Sequence, residues 1–278
     1  MRRNHGCEIG GEMGRKVTAR GAATPNKAEG HCFIAFLETR LATSPPKQKG
    51  LRTRERLKIS TARLLQDKGY LALKVSEITK TAGVAEGSFY MYFSDKTDAT
   101  RTVLEEFLNE FLPAIMRPGT PRSLFRSICE TNRRWIALAR ANDGLFRCLL
   151  QFGDSDAAFA ALVQAGNRDW YERVLRSLPD QAEPRPGTRL LLIYLLGAMM
   201  DDLIRKLIVY PDEHFRTLLD SIGATDEDVA DAASVIWMRA LHGTLPAGAE
   251  LSPVVKAMTM ILDARSGGVP ALQAGREG

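Results

Sequence analysis

Six side chains set in one short stretch, Glu86, Gly87, Ser88, Tyr90, Met91 and Tyr92, have types that suit contact with an anionic polymer. Serine and tyrosine hydroxyls bond phosphate oxygens, methionine can meet thymine methyls, and a glycine lets the backbone come close. Two tyrosines and a methionine left outside the apolar face of a short helix are unusual for a purely solvated surface. A groove of double-stranded DNA is therefore their expected partner.

Such a surface needs a scaffold, and the flanking residues provide one. Leu57, Thr61, Leu64 and Leu65 follow the i, i+4, i+7, i+8 spacing of an inward helical stripe, with Arg54, Arg56, Lys58, Arg63 and Lys68 on other faces. Gly69 supplies a stop. Val75, Ile78, Thr79 and Ala82 predict a second, short helix ending at Gly83, where the chain must reverse tightly. A third short helix runs through Phe93, so Leu64, Leu65, Ile78, Ala82, Val84, Phe89 and Phe93 must share one small core. That is a helix-turn-helix unit.

The string from Val75 to Lys96, with Ala82-Gly83-Val84, Gly87, Phe89-Tyr90, Phe93 and Lys96 in register, resembles the signature of TetR-family transcriptional regulators. Together with the supporting helix, the resemblance covers roughly residues 51–111. It implies that Glu86, Gly87, Ser88, Tyr90, Met91 and Tyr92 form the recognition surface. It further implies that Tyr90 and Lys96 grip phosphates and that Lys74 adds a charge where the family often has a threonine. Three positions depart from the family pattern. Ala85 replaces the usual capping serine or threonine, which should cost about 1 kcal/mol; Thr79 and Ala99 stand where alanine and leucine are common. Glu86 could accept from a cytosine amino group or act as a mild penalty near phosphates.

Helical periodicity continues to about residue 264, with segments near 121–141, 144–152, 155–178, 188–210, 212–222, 225–242 and 253–265. The fold class is all-α: an N-terminal three-helix helix-turn-helix domain, then a larger helical ligand-binding and dimerisation domain. The expected organisation is a basic, disordered extension over 1–50, the helix-turn-helix domain over 51–111, the second domain over 112–266 and a disordered tail over 267–278. Met13 is an alternative start. The apolar patch from Cys32 to Leu37 is the one interruption of the extension and could serve docking.

In the family, two late helices form a four-helix dimer interface, and 188–210 and 225–242 match that pair in pattern. A homodimer would read a near-palindromic operator. Trp135, Phe146, Phe152, Phe159, Trp170, Tyr171, Tyr194 and Met199 are the candidate liners of a pocket for a small, largely apolar effector, although aromatics at helical spacing more often simply pack. Arg133-Arg134 could meet an anionic effector or lie solvated on a helix face. Asp201-Asp202 is expected to face solvent or a partner helix end.

The charge balance supports DNA only weakly. The net +5 equals the local excess of residues 1–50, which hold nine basic and four acidic residues. Four cysteines without a C-x-x-C pair, and histidines away from them, argue against a disulfide framework and a metal site. No phosphate-loop, nucleophile-elbow, zinc-protease or dinucleotide motif occurs, so neither enzyme activity nor a cofactor is expected. The run from Leu190 to Met200 is too short to span a membrane, and a cytoplasmic regulator is the expectation, a repressor because the resemblance implies the family's commoner mode. The alternative is a TetR-like fold acting mainly through protein-protein contacts.

Overall fold

The computed structural model describes residues 29–117, 123–179, 187–246 and 248–266. Among these residues every regular element is helical. A short turn at Glu29–His31 leads into α1 (Phe33–Thr43), followed by α2 (Lys49–Ala72), α3 (Val75–Ala82), a 3-10 helix at Glu86–Met91 and α4 (Lys96–Glu106). A π-helical turn at Phe107–Phe111 carries α4 into α5 (Leu112–Ile115). Then come α6 (Leu124–Ala141), α7 (Asp143–Ser155), α8 (Ala157–Ser177), α9 (Thr188–Ile204) with a π-helical turn at Arg205–Val209, α10 (Glu213–Ser221), α11 (Asp226–His242) and α12 (Pro253–Ser266).

The expected stripe of α2 is inside, with Leu57, Thr61, Leu64 and Leu65 buried against Ile78, Ala82, Phe89 and Phe93. Thr79 is buried without loss, because its hydroxyl donates to the Val75 and Ser76 carbonyls. Ala99 is fully buried on α4. From this unit one apolar core runs on through Phe107 and Phe111 to Ile136, Phe146 and Ile208. The boundary expected after residue 111 thus falls within continuous helix, where no linker intervenes.

Two expectations need correction. The extension over 1–50 is not disordered throughout: α1 is a helix with Phe33 and Leu37 fully buried. Phe33 meets Phe107 and Phe111 at ring separations of 5.3 Å each, and Phe36 meets Phe111 at 5.2 Å. The residues before 29 and the expected tail over 267–278 lie outside the described residues. Lys58 is likewise not on an outer face. It is 2% exposed, because Glu55 and Glu106 converge on its ammonium while Arg40 of α1 pairs with the same two carboxylates and with Glu110. This shared pairing ties α1, α2 and α4 together and compensates for taking a lysine out of water.

Asn142, at the corner between α6 and α7, fastens the start of α1. Its carboxamide oxygen accepts from the Phe33 amide at 2.9 Å, and its amide group donates to the His31 and Leu138 carbonyls at 2.7 and 2.8 Å. A helix whose own N-cap, Cys32, makes no capping bond is capped instead by a residue 109 positions away. Cys129 and Cys148 are buried free thiols pushed up to about 11 by desolvation, which keeps them protonated and unreactive at neutral pH.

Candidate nucleic-acid interface and effector cavity

The reversal between α3 and the following 3-10 helix depends on Gly83, whose φ of 64° lies in the left-handed region. Its amide bonds back to the last turn of α3, and Val84 donates to the Thr79 carbonyl at 3.0 Å. Arg56 of α2 donates to the Ala82 carbonyl, placing a cation at the negative end of α3. Lys96 does the same for α2. Its ammonium lies 3.1 Å from the Leu73 carbonyl and 3.5 Å from that of Tyr70, over the Tyr70 ring at 4.9 Å.

The recognition segment is shorter and tighter than a helix of the expected kind. Ala85 supplies no side-chain cap, and six residues that include a glycine wind as 3-10 turns around the fully buried Phe89. This puts Tyr90 and Met91 outermost, 57% and 76% exposed. Glu86, Gly87 and Lys74 are also exposed and Ser88 is half-buried. Tyr92 departs from the set: it is half-buried, with its hydroxyl 3.3 Å from where a side chain on Gly50 would begin. Asp95 then caps α4, and the Asp98 amide it accepts from holds its carboxyl below the ordinary range.

The resulting protrusion, two short elements at a tight glycine turn with an exposed tyrosine and methionine at the tip, matches the family model for bacterial regulatory proteins of the tetR family over residues 60–98. The chain carries a TetR-family helix-turn-helix domain. Its sequence is 37% identical over 49 residues to the fatty acid metabolism regulator protein of Bacillus subtilis, covering 18% of this chain and 25% of that protein. It is 37% identical over 65 residues to the uncharacterized HTH-type transcriptional regulator YdgC of the same organism, covering 23% and 31%. The chain thus spans a quarter to a third of the length of these curated relatives. The fold likeness reaches further. A tetR-family transcriptional regulator from Streptomyces coelicolor superposes with a TM-score of 0.56 at 17% identity over 78% of this chain and 98% of that one. The fatty acid degradation regulator FadR from Bacillus halodurans gives 0.50 at 16% identity, over 71% and 98%. Among the described residues the chain is all-α, with the helix-turn-helix ahead of a second helical domain.

In that second domain a cavity of about 640 Å³ opens between α5, α6, α7, α8 and α9. Of the eight aromatic and methionine candidates, Trp135, Phe146, Trp170 and Tyr171 line it. The other four do not. Phe152 and Phe159 pack edge to face at 5.0 Å in the main core. Tyr194 faces outward, 43% exposed, against Tyr171, and Met199 packs in a separate cluster around Trp237. Phe107, Leu112 and Met116, which sequence reasoning assigned to no pocket, complete the apolar wall. Arg133 and Arg134 stand apart from it. Arg133 makes a two-pronged pair with Asp231 at 2.7 and 2.5 Å, and Arg134 donates to the Arg117 carbonyl at 2.6 Å. Of the two adjacent aspartates, Asp202 pairs with Arg205 and Lys206, whereas Asp201 lines the cavity.

Proposed function

We propose that this TetR-family regulator is a homodimeric, sequence-specific DNA-binding repressor, released from a palindromic operator by a small, largely apolar ligand. The observation that carries the DNA-binding part is the exposure of Tyr90 and Met91 at the tip of the helix-turn-helix, with Lys74 exposed at the start of α3. Tyr90 and Lys74 are the phosphate contacts in this reading, and Glu86, Gly87, Ser88 and Met91 meet base edges. Lys96 contributes mainly by holding the end of α2, since its ammonium is already engaged by two carbonyls. Tyr92 supports the tip from behind.

Selection of bound sequences from a random DNA pool tests operator specificity and its symmetry at once. On the selected site, Tyr90→Ala and Lys74→Ala are each expected to weaken binding about tenfold, and Lys74→Ala should also flatten the salt dependence by about one ion. Salt-insensitive or absent binding would favour the protein-interaction reading.

The dimer reading is supported by α9, where Leu191, Tyr194 and Leu195 are 60%, 43% and 60% exposed on one face. Ile236 of α11 is exposed as well, and such an unpaired apolar stripe is the kind that a second copy covers. Leu195→Arg is expected to give a monomer by sedimentation and to abolish tight operator binding while leaving helicity intact. An unchanged dimer would move the interface elsewhere. The cavity supports ligand control through its volume and aromatic lining. It adjoins α7, which packs directly on α2 of the helix-turn-helix, so filling it can shift the recognition elements.

A further inference from the structure

The polar side chains of the cavity wall differ sharply in depth. Asn109, Asn167, Asp169, Arg173, Arg176 and Asp201 are exposed, so water solvates and screens them. Asn132 and Tyr171 line the same cavity yet are only 6% and 7% exposed. Each carries an oxygen that makes no hydrogen bond among the described residues. For Asn132 the neighbours settle which atom that is. Ser234 spends its single proton on the Ala230 carbonyl at 2.7 Å, so it can only accept from Asn132, at 2.9 Å. The amide nitrogen is thereby turned toward α11 and the carboxamide oxygen is left unengaged.

The Tyr171 hydroxyl is located by Gly197. A side chain there would collide with it, and Gly197 is itself part of the cavity wall. Burial pushes the phenol up to about 12, so it keeps the proton it can donate. Among the described residues, the side-chain polar atom sealed from solvent without a partner is the Trp237 indole nitrogen. The Asn132 and Tyr171 oxygens are therefore open, and the space beside both residues is the cavity. They also share one end of it. Ser234 bonds Asn132, while Ala233 and Trp237 pack in one cluster with Tyr171, and all three belong to the same stretch of α11. Two buried oxygens without partners in the protein cost free energy until a ligand engages them.

We infer that the effector carries an uncharged head of the carboxamide class, whose N–H donates to the Asn132 oxygen and whose carbonyl accepts from the Tyr171 hydroxyl. Its apolar body then lies toward Phe107, Leu112 and Phe146. This rests on the reading of the cavity as an effector site. A carboxylate has no proton to give Asn132, and either a carboxylate or an ammonium would exchange its hydration for two neutral partners at a buried position. A head that only accepts satisfies Tyr171 and leaves Asn132 unpaired.

Octanamide, N,N-dimethyloctanamide, octanoate and octylamine share one chain length and differ in the head, and titration calorimetry on the full-length protein ranks them. Octanamide should bind about tenfold more tightly than the dimethyl amide, which accepts but cannot donate, and both should bind more tightly than the two charged probes. Asn132→Leu should bring octanamide down to the level of the dimethyl amide and leave the latter unchanged. Tyr171→Phe keeps the ring and should weaken both amides about fivefold. If Asn132→Leu fails to fold, the wild-type preference and Tyr171→Phe still decide. A dimethyl amide as tight as octanamide, a preference that survives Asn132→Leu, unchanged amide affinity in Tyr171→Phe, or a charged probe that binds tightest overturns the carboxamide head and leaves the effector site standing. Binding of none of the four defeats the effector reading and this inference with it.

Discussion

Gly144→Ala should lower the stability of the whole protein by about 3 kcal/mol, the upper end of the cost of overpacking, and the melting temperature by roughly 10 °C. Gly144 opens α7 where that helix crosses α2. A Cβ there would stand 2.1 Å from the Gln66 carbonyl oxygen and 2.5 Å from its Cα. Those are backbone atoms of a long buried helix, so no rotamer change can relieve the collision. The same crossing is held by Gln66 itself, which donates to Asp143 at 2.6 Å and accepts from the Leu145 amide at 3.3 Å, capping α7 from across the contact. Forcing the helices apart breaks both bonds and opens the core on either side. Because this is where the helix-turn-helix meets the second domain, the variant should also uncouple ligand from DNA: any effector that still binds should release operator less completely. Thermal unfolding followed by circular dichroism, and operator release titrated with the effector, measure the two effects. A variant with wild-type melting would mean that the helices cross more loosely than the structure has them.

That crossing could not be read from the sequence, although much around it could. Asn142-Asp143-Gly144 has the composition of a turn, and it is one; what its residues reach is set by chain 77 to 111 positions away. The helix-turn-helix was legible because its determinants are local. Gly83 marks a stop and Gly69, with its φ of 75°, a break inside α2; Leu57, Thr61, Leu64 and Leu65 mark a face, and the exposed residues follow by difference. Lys58 was misplaced for the opposite reason: next to an apolar stripe it reads as solvated, and only Glu106, on another helix, makes its burial tolerable. The cavity shows the limit most clearly. Helical period separates inward from outward positions, yet Phe152 and Phe146 are equally inward and only one of them faces empty space. Asp201 carried no signal beyond its adjacency to Asp202, and the two part company because successive helix positions point about 100° apart.

Phe33→Ala is expected to cost about 3–5 kcal/mol, as large as any single truncation in the core, although the residue lies ahead of the recognised domain. The ring is fully buried between Phe107 and Phe111, and Phe107 packs edge to face on Phe146 at 5.8 Å. Both of those are cavity-wall residues. Helix α1 therefore braces the cavity from behind, while Arg40 pins it to α2 and α4. Removing residues 1–47 deletes the ring, the Arg40 pairing and the partner of the Asn142 side chain together, and leaves Lys58 facing more carboxylate than it can neutralise. The truncated protein should melt well below the full chain and bind hydrophobic dyes. This alters how the basic extension must be tested. Its excess charge should raise non-specific DNA affinity, but a deletion through residue 50 would confound that effect with loss of the core. Neutralising Arg2, Arg3, Arg15, Lys16, Arg20 and Lys27 leaves α1 in place, so a shallower salt dependence in that variant would report phosphate contact alone. Phe33→Leu separates the packing role from chain length: it should recover most of the stability lost in Phe33→Ala, and a truncation as stable as the full chain would show that α1 is dispensable to the fold.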